Sequence, residues 1–122
     1  MHPLNVFDGD ALAVKETPFG RVGTLFDGAG LEGAGLEGAG LEVVWVSKSA
    51  EEIDPGWFSY DHADMMLVVQ GQLKVEFKDR PQDDCVLRPG DCLVLPPKTQ
   101  CRAYRWPRDS AEAAVFVAAY PA

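Results

Sequence analysis

The chain has 122 residues, 47% of them hydrophobic, enough for one closed core and too little for two ordinary domains. Its 19 acidic and 11 basic residues give a formal net charge of −8, a surface that repels nucleic-acid backbones and anionic lipid headgroups and so argues against both as partners. No apolar run reaches the length of a membrane span, and Asp8 and Asp10 interrupt the stretch where a secretion signal needs an unbroken apolar core. The expected compartment is the cytoplasm.

In chain order, residues 1–20 combine Asp8-Gly9-Asp10, Pro18 and Gly20 with scattered apolar positions, and predict an arm with at most one short helical turn. From residue 21 to 122 the pattern becomes strand-like. Short strands are expected over Arg21–Phe26, Leu41–Lys48, Met65–Val69, Gln72–Lys78, Cys85–Arg88, Cys92–Leu95, Cys101–Trp106 and Ala114–Tyr120. Such a series, with no segment of helical periodicity, predicts an all-β sandwich or barrel.

Leu73, Val75 and Phe77 alternate with Lys74 and Glu76, the pattern of a half-buried strand. Met65–Val69 and Ala114–Tyr120 are apolar on both faces, which predicts burial between layers or against another subunit. Gln70-Gly71 and Arg88-Pro89-Gly90-Asp91 are the expected turns.

Gly28-Ala29-Gly30-Leu31-Glu32 recurs at 33–37 and again at 38–42. A five-residue period fits neither a strand, whose face flips at each odd step, nor a helix, in which successive leucines would lie about 140° apart. The GAGLE array over 28–42 is therefore expected to be a tandem insertion in a surface connection. Cys85, Cys92 and Cys101 form neither an even set nor a C-x-x-C pair, and are expected to be reduced thiols, with Cys85 and Cys92 buried.

Two stretches resemble the paired motifs of the cupin family, G-x5-H-x-H-x3,4-E-x6-G and G-x5-P-x-G-x2-H-x3-N. Gly56 to Gly71 has a glycine at each end, over a shorter span than the motif's, and carries Asp64, with six residues between it and Gly71, in place of the glutamate. Counting back three residues from Asp64 puts Tyr60 and Phe58 at the histidine positions; counting back four puts Ser59 and Trp57 there. The second motif runs from Gly90 to Pro96, with Lys98 in place of the inner glycine and Cys101 in place of the histidine. The resemblance implies a cupin-like jelly-roll β-barrel with a short N-terminal arm, its two motifs on neighbouring strands facing one lumen.

What that resemblance implies about chemistry is limited by the lost histidines. Tyr60, His62 and Asp64 share a face if their stretch is extended. His62, Asp64 and Cys101 are then the candidate ligands of a weakly held divalent metal, zinc or iron. Tyr60, Phe58, Asp64, Cys101 and Trp45 are the candidate lumen residues for an unidentified small molecule. The leading expectation is a small-molecule-binding cupin domain with an eroded metal site. A metal-dependent oxygenase or isomerase and a dimerisation scaffold are the alternatives, and a homodimer is expected because cupins commonly pair through barrel edges.

Overall fold

A computed structural model describes Asn5, Phe7 and residues 14–27, 40–49, 54 and 56–121. Nine strands are present among them: β1 (Val14–Thr17), β2 (Gly20–Asp27), β3 (Leu41–Lys48), β4 (Asp64–Gln70), β5 (Leu73–Phe77), β6 (Cys85–Leu87), β7 (Cys92–Leu95), β8 (Cys101–Arg105) and β9 (Ala114–Pro121). A single 3-10 turn, Pro81–Asp83, separates β5 from β6. All pairings are antiparallel. One sheet has the order β1-β2-β3-β9-β4-β7 and the other the order β6-β5-β8.

The two sheets face one another because each strand alternates. Val46, Val68 and Phe116 of the large sheet belong to one buried cluster with Leu73, Val75 and Ala103 of the small one. Fully burying an aliphatic or aromatic side chain contributes about 1.5–3 kcal/mol. The alternation of β5 appears as Leu73 and Val75 fully buried with Lys74 and Glu76 only partly so. On the outside of the large sheet Leu41, Met65, Val94 and Ala119 border one shallow groove, so its strands are apolar on both faces.

Three expectations change. The N-terminal arm contains a strand: β1 pairs with β2 from Val14↔Gly23 to Thr17↔Gly20, so the barrel's hydrogen bonding begins before residue 21. Trp45 does not face the lumen. Val44 and Val46 do, and period two turns Trp45 to the opposite face, where it packs with Val115, Val14, Leu25 and Val69. Of the thiols, Cys101 is the buried one, Cys85 is half-buried and Cys92 is exposed, because Cys92 shares the outward parity of Val94. The GAGLE array lies outside the described residues except for Gly40, Leu41 and Glu42. Residues 28–40 join β2 to β3, which are adjacent antiparallel strands with Asp27 opposite Glu42.

Two turns show why particular residues are needed. Gly71 has φ of 68°, and a Cβ there would collide with the carbonyl oxygen of Ala113. Lys98 stands where the resembled motif has glycine, and its φ of 63° is left-handed. An L side chain in that region is held against its preference by roughly 1 kcal/mol. Lys98 is exposed, and its backbone N–H is donated to the Tyr60 carbonyl at 2.6 Å. Lys98→Gly is therefore expected to raise stability by about 0.5–1 kcal/mol, read as a higher urea midpoint; an unchanged or lower midpoint would show that the turn is unstrained.

Candidate functional site

One end of the space between the sheets is unfilled, leaving a cavity of about 170 Å³. Its deep side is apolar, formed by Val46, Met66, Phe116 and Ala118. Toward solvent it is bordered by Phe19, Phe58, Tyr60 and Tyr120. Phe58 reaches it because Asp54 and Phe58 both bond to the edge of β8: Phe58 and Cys101 exchange both backbone hydrogen bonds, at 3.1 and 3.0 Å.

Two charged residues at this site were not anticipated from the sequence. Lys48, 1% exposed, forms a buried ion pair with Asp54, 5% exposed, and donates a second hydrogen bond to the Phe19 carbonyl at 2.6 Å. The other carboxylate oxygen of Asp54 accepts the Ala103 N–H at 2.8 Å. Both residues line the cavity. The parity of β3 held the clue: Val44, Val46 and Lys48 share the inward face, and an inward lysine requires a buried partner.

An arc of rings borders the opening. Phe19 meets Phe58 edge-on at 5.6 Å, and Phe58 meets Tyr60 edge-on at 5.7 Å. Tyr60, His62 and Tyr120 lie nearly parallel, with His62 5.1 Å from Tyr60 and 5.4 Å from Tyr120. Burial raises the Tyr60 phenol, helped by the charges of Asp64 and Asp54. Tyr120 is pushed up to about 12 by burial and by Glu42, to which it hydrogen-bonds.

Asp64, at the start of β4, also lines the cavity and is 8% exposed. Its Oδ1 is buried and has no hydrogen-bond partner among the described residues. Burial pushes this carboxyl above the usual aspartate range, against the opposing pull of the Met65 amide and the His62 imidazole.

A larger depression of about 440 Å³ opens between Phe77 of β5 and Leu93 and Leu95 of β7, beside the 3-10 turn and the connection from β7 to β8. Its Arg80 and Asp83 already pair with each other at 2.9 Å, and Asp79, Arg80 and Lys98 are all exposed. Its charged side chains are exposed to water, whereas those of the inner cavity are buried, so the smaller inner cavity is the better candidate.

No protein-family model matches this sequence, and no curated protein matches it either. Solved structures do. A cupin 2 domain-containing protein of Halorhodospira halophila is 20% identical with a TM-score of 0.64, the match covering 82% of this chain and 62% of that one. An RmlC-like cupin of Shewanella frigidimarina is 18% identical with a TM-score of 0.67, over 93% of this chain and 87% of the other. A cupin 2 conserved barrel domain protein of Salinispora arenicola is 14% identical with a TM-score of 0.69, over 100% and 87%. The fold is that of the cupins.

Within this cupin barrel the expected site residues divide. Tyr60, Phe58 and Asp64 come together around the cavity. Cys101 faces inward and is 2% exposed, but it sits in the core rather than among the lining residues. Its thiol is pushed up to about 12 by burial and by the charges of Asp54 and Asp64, so in the free protein it stays protonated. His62 is in the ring stack, with Nδ1 3.0 Å from the Ala63 carbonyl oxygen.

His62, Asp64 and Cys101 therefore do not fit a resident metal. Among the described residues no three histidine, cysteine, aspartate or glutamate side chains come together as a metal-binding group. Also among them, no helix is long and apolar enough to cross a membrane.

Asp64 supplies a test of the site's electrostatics. A carboxyl raised in the folded state opposes folding once it ionises, so its cost is absent below the unfolded pKa and present above the folded one. Asp64→Asn is expected to raise the urea midpoint at pH 7, because it removes the buried charge. The gain should vanish near pH 3.5, below the ordinary aspartate value of about 3.9. Equal gains at the two pH values, from urea unfolding, would show that charge burial is not what the substitution relieves.

Proposed function

We propose that this cupin barrel is a small-molecule-binding domain whose ligand occupies the cavity behind Tyr60. The observation that carries the proposal is Asp64: a buried carboxylate oxygen without a partner, in a cavity whose other carboxylate, Asp54, is satisfied by Lys48 and the Ala103 N–H. An unsatisfied buried polar group is costly and is expected to have a role. The cavity, mainly apolar with a few polar groups, has the composition of a ligand site. Its chemistry favours binding over catalysis, since the nearest thiol stays protonated and Lys48 is held by Asp54.

Saturation-transfer NMR with a panel of small alcohols, amides, amines and phenols tests this. Binding by the wild type is expected for part of the panel, with loss of about tenfold or more in Ala118→Leu, which puts extra methyl groups into the cavity. Signals that persist unchanged in that variant would place the ligand elsewhere.

A second property rests on a separate observation: the outer face of the large sheet. Leu41, Met65, Val94 and Ala119 border one groove there, with Val94 63% and Leu41 40% exposed. Such a face beside the edge strand β7 favours self-association into a homodimer. Light scattering at micromolar concentration is expected to give twice the 13.3 kDa chain mass, and Val94→Asp to give the monomer mass. A monomeric wild type would end this proposal without touching the cavity.

A further inference from the structure

The charges of the cavity do not balance. Among the described residues three charged side chains line it: Lys48, Asp54 and Asp64. Lys48 and Asp54 neutralise each other, which leaves the Asp64 carboxylate, favoured by the Met65 amide and His62, without an ion-pair partner among the described lining residues. From each side, the titratable groups near it are Lys48 and Glu42 on β3, Cys101 on β8, Tyr120 on β9, and Asp54, Tyr60 and His62 on the connection from β3 to β4. Glu42 hydrogen-bonds Tyr120 and brings no positive charge. His62 supplies positive charge only when protonated.

The walls have a matching character. Phe19, Phe58, Tyr60 and Tyr120 border the same space, and aromatic faces carry negative quadrupole potential. Aromatic side chains around a space with a spare carboxylate form a setting that attracts cations. An anion would be repelled by Asp64. A neutral hydrogen-bond donor could satisfy Oδ1 but would leave the charge buried in an apolar cavity.

We propose that the cavity selects a small organic monocation of the ammonium type, with Asp64 as its counter-charge and Phe58, Tyr60 and Tyr120 as its aromatic walls. The proposal rests on the cavity being the ligand site and names the class of ligand. Size narrows the class further: about 170 Å³ is below the roughly 300 Å³ at which pockets for drug-sized ligands begin, so the ligand has few heavy atoms. The cation binds the ionised carboxyl and not the protonated one. Affinity must therefore fall as pH drops through the raised range of Asp64.

Choline and 3,3-dimethylbutan-1-ol have the same shape, the second with a quaternary carbon in place of the nitrogen, and calorimetric titration of both with the full chain isolates the charge. Wild type is expected to bind choline about tenfold or more tightly than the alcohol. Asp64→Asn should bring the two within about twofold, and Phe58→Leu should weaken choline more than the alcohol. Because protonated His62 would also oppose a cation in acid, the pH dependence is measured in His62→Gln, where it should persist, and in Asp64→Asn, where it should disappear.

Equal binding of the two probes by wild type, or tighter binding of the alcohol, would overturn the cation proposal while leaving the cavity as a ligand site. Binding of neither probe while neutral members of the NMR panel bind would do the same. Failure of both probes and of the whole panel would overturn the cavity as a ligand site as well.

Discussion

The ion pair between Lys48 and Asp54 is the constraint on which the rest of the site depends. Through it the end of β3 is tied to the Phe19 carbonyl on the β1–β2 turn, and through Asp54 to the Ala103 amide on β8. The large and small sheets are thus joined by a polar link at the end where the cavity lies. Removing two charges from water is costly, so a buried pair is weak grounds for net stability. Its consequence here is positional: leaving either partner unpaired would cost several kcal/mol, so arrangements that separate the sheets at this end are disfavoured and the space between them keeps its shape.

The aromatic side of the cavity comes from a stretch with little regular structure, and backbone bonds set its position. Asp54 and Phe58 both bond to β8, at Ala103 and Cys101, and the Tyr60 carbonyl accepts the Lys98 N–H. The left-handed turn at Lys98 therefore anchors the residue that borders the opening. Glycine would adopt that backbone with less strain. The glycine-to-lysine difference from the cupin motif leaves the turn in place, whereas the histidine-to-cysteine difference at 101 removes a donor and leaves a protonated thiol in the core. Equal departures from the motif thus have unequal consequences, and only the second bears on metal chemistry.

Much of the fold was legible because period-two alternation is local. Leu73, Val75 and Phe77 fix the face of β5 without knowledge of any neighbour, and the turns at Gly71 and Gly90 carry the residues that their positive φ requires. Alternation failed where both faces are apolar. Val43-Val44-Trp45-Val46 fits either parity, and only the pairing of β3 with β2 and β9 puts Trp45 outside. The strand at Val14–Thr17 was missed because its Val-Lys-Glu-Thr sequence is mostly exposed and owes its conformation to pairing with β2. The pair at Lys48 and Asp54 was missed for a different reason: they lie six positions apart, and Asp54 is placed by its bonds to the edge of β8.

The site was legible only in part, because its residues are defined by two surfaces at once. Asp64 and Tyr120 border both the inner cavity and the outer groove of Leu41, Met65 and Val94. Residues at the end of a strand escape strict assignment to one face, since no further strand turn covers them. Their environment is set by what lies on either side of the wall. Desolvation already raises Asp64 with its outer side open to the groove. Any surface laid over that groove removes more water from the same carboxyl and strengthens its demand for a compensating charge from the cavity side. In this geometry the outer face of the sheet and the inner cavity both border one titratable group.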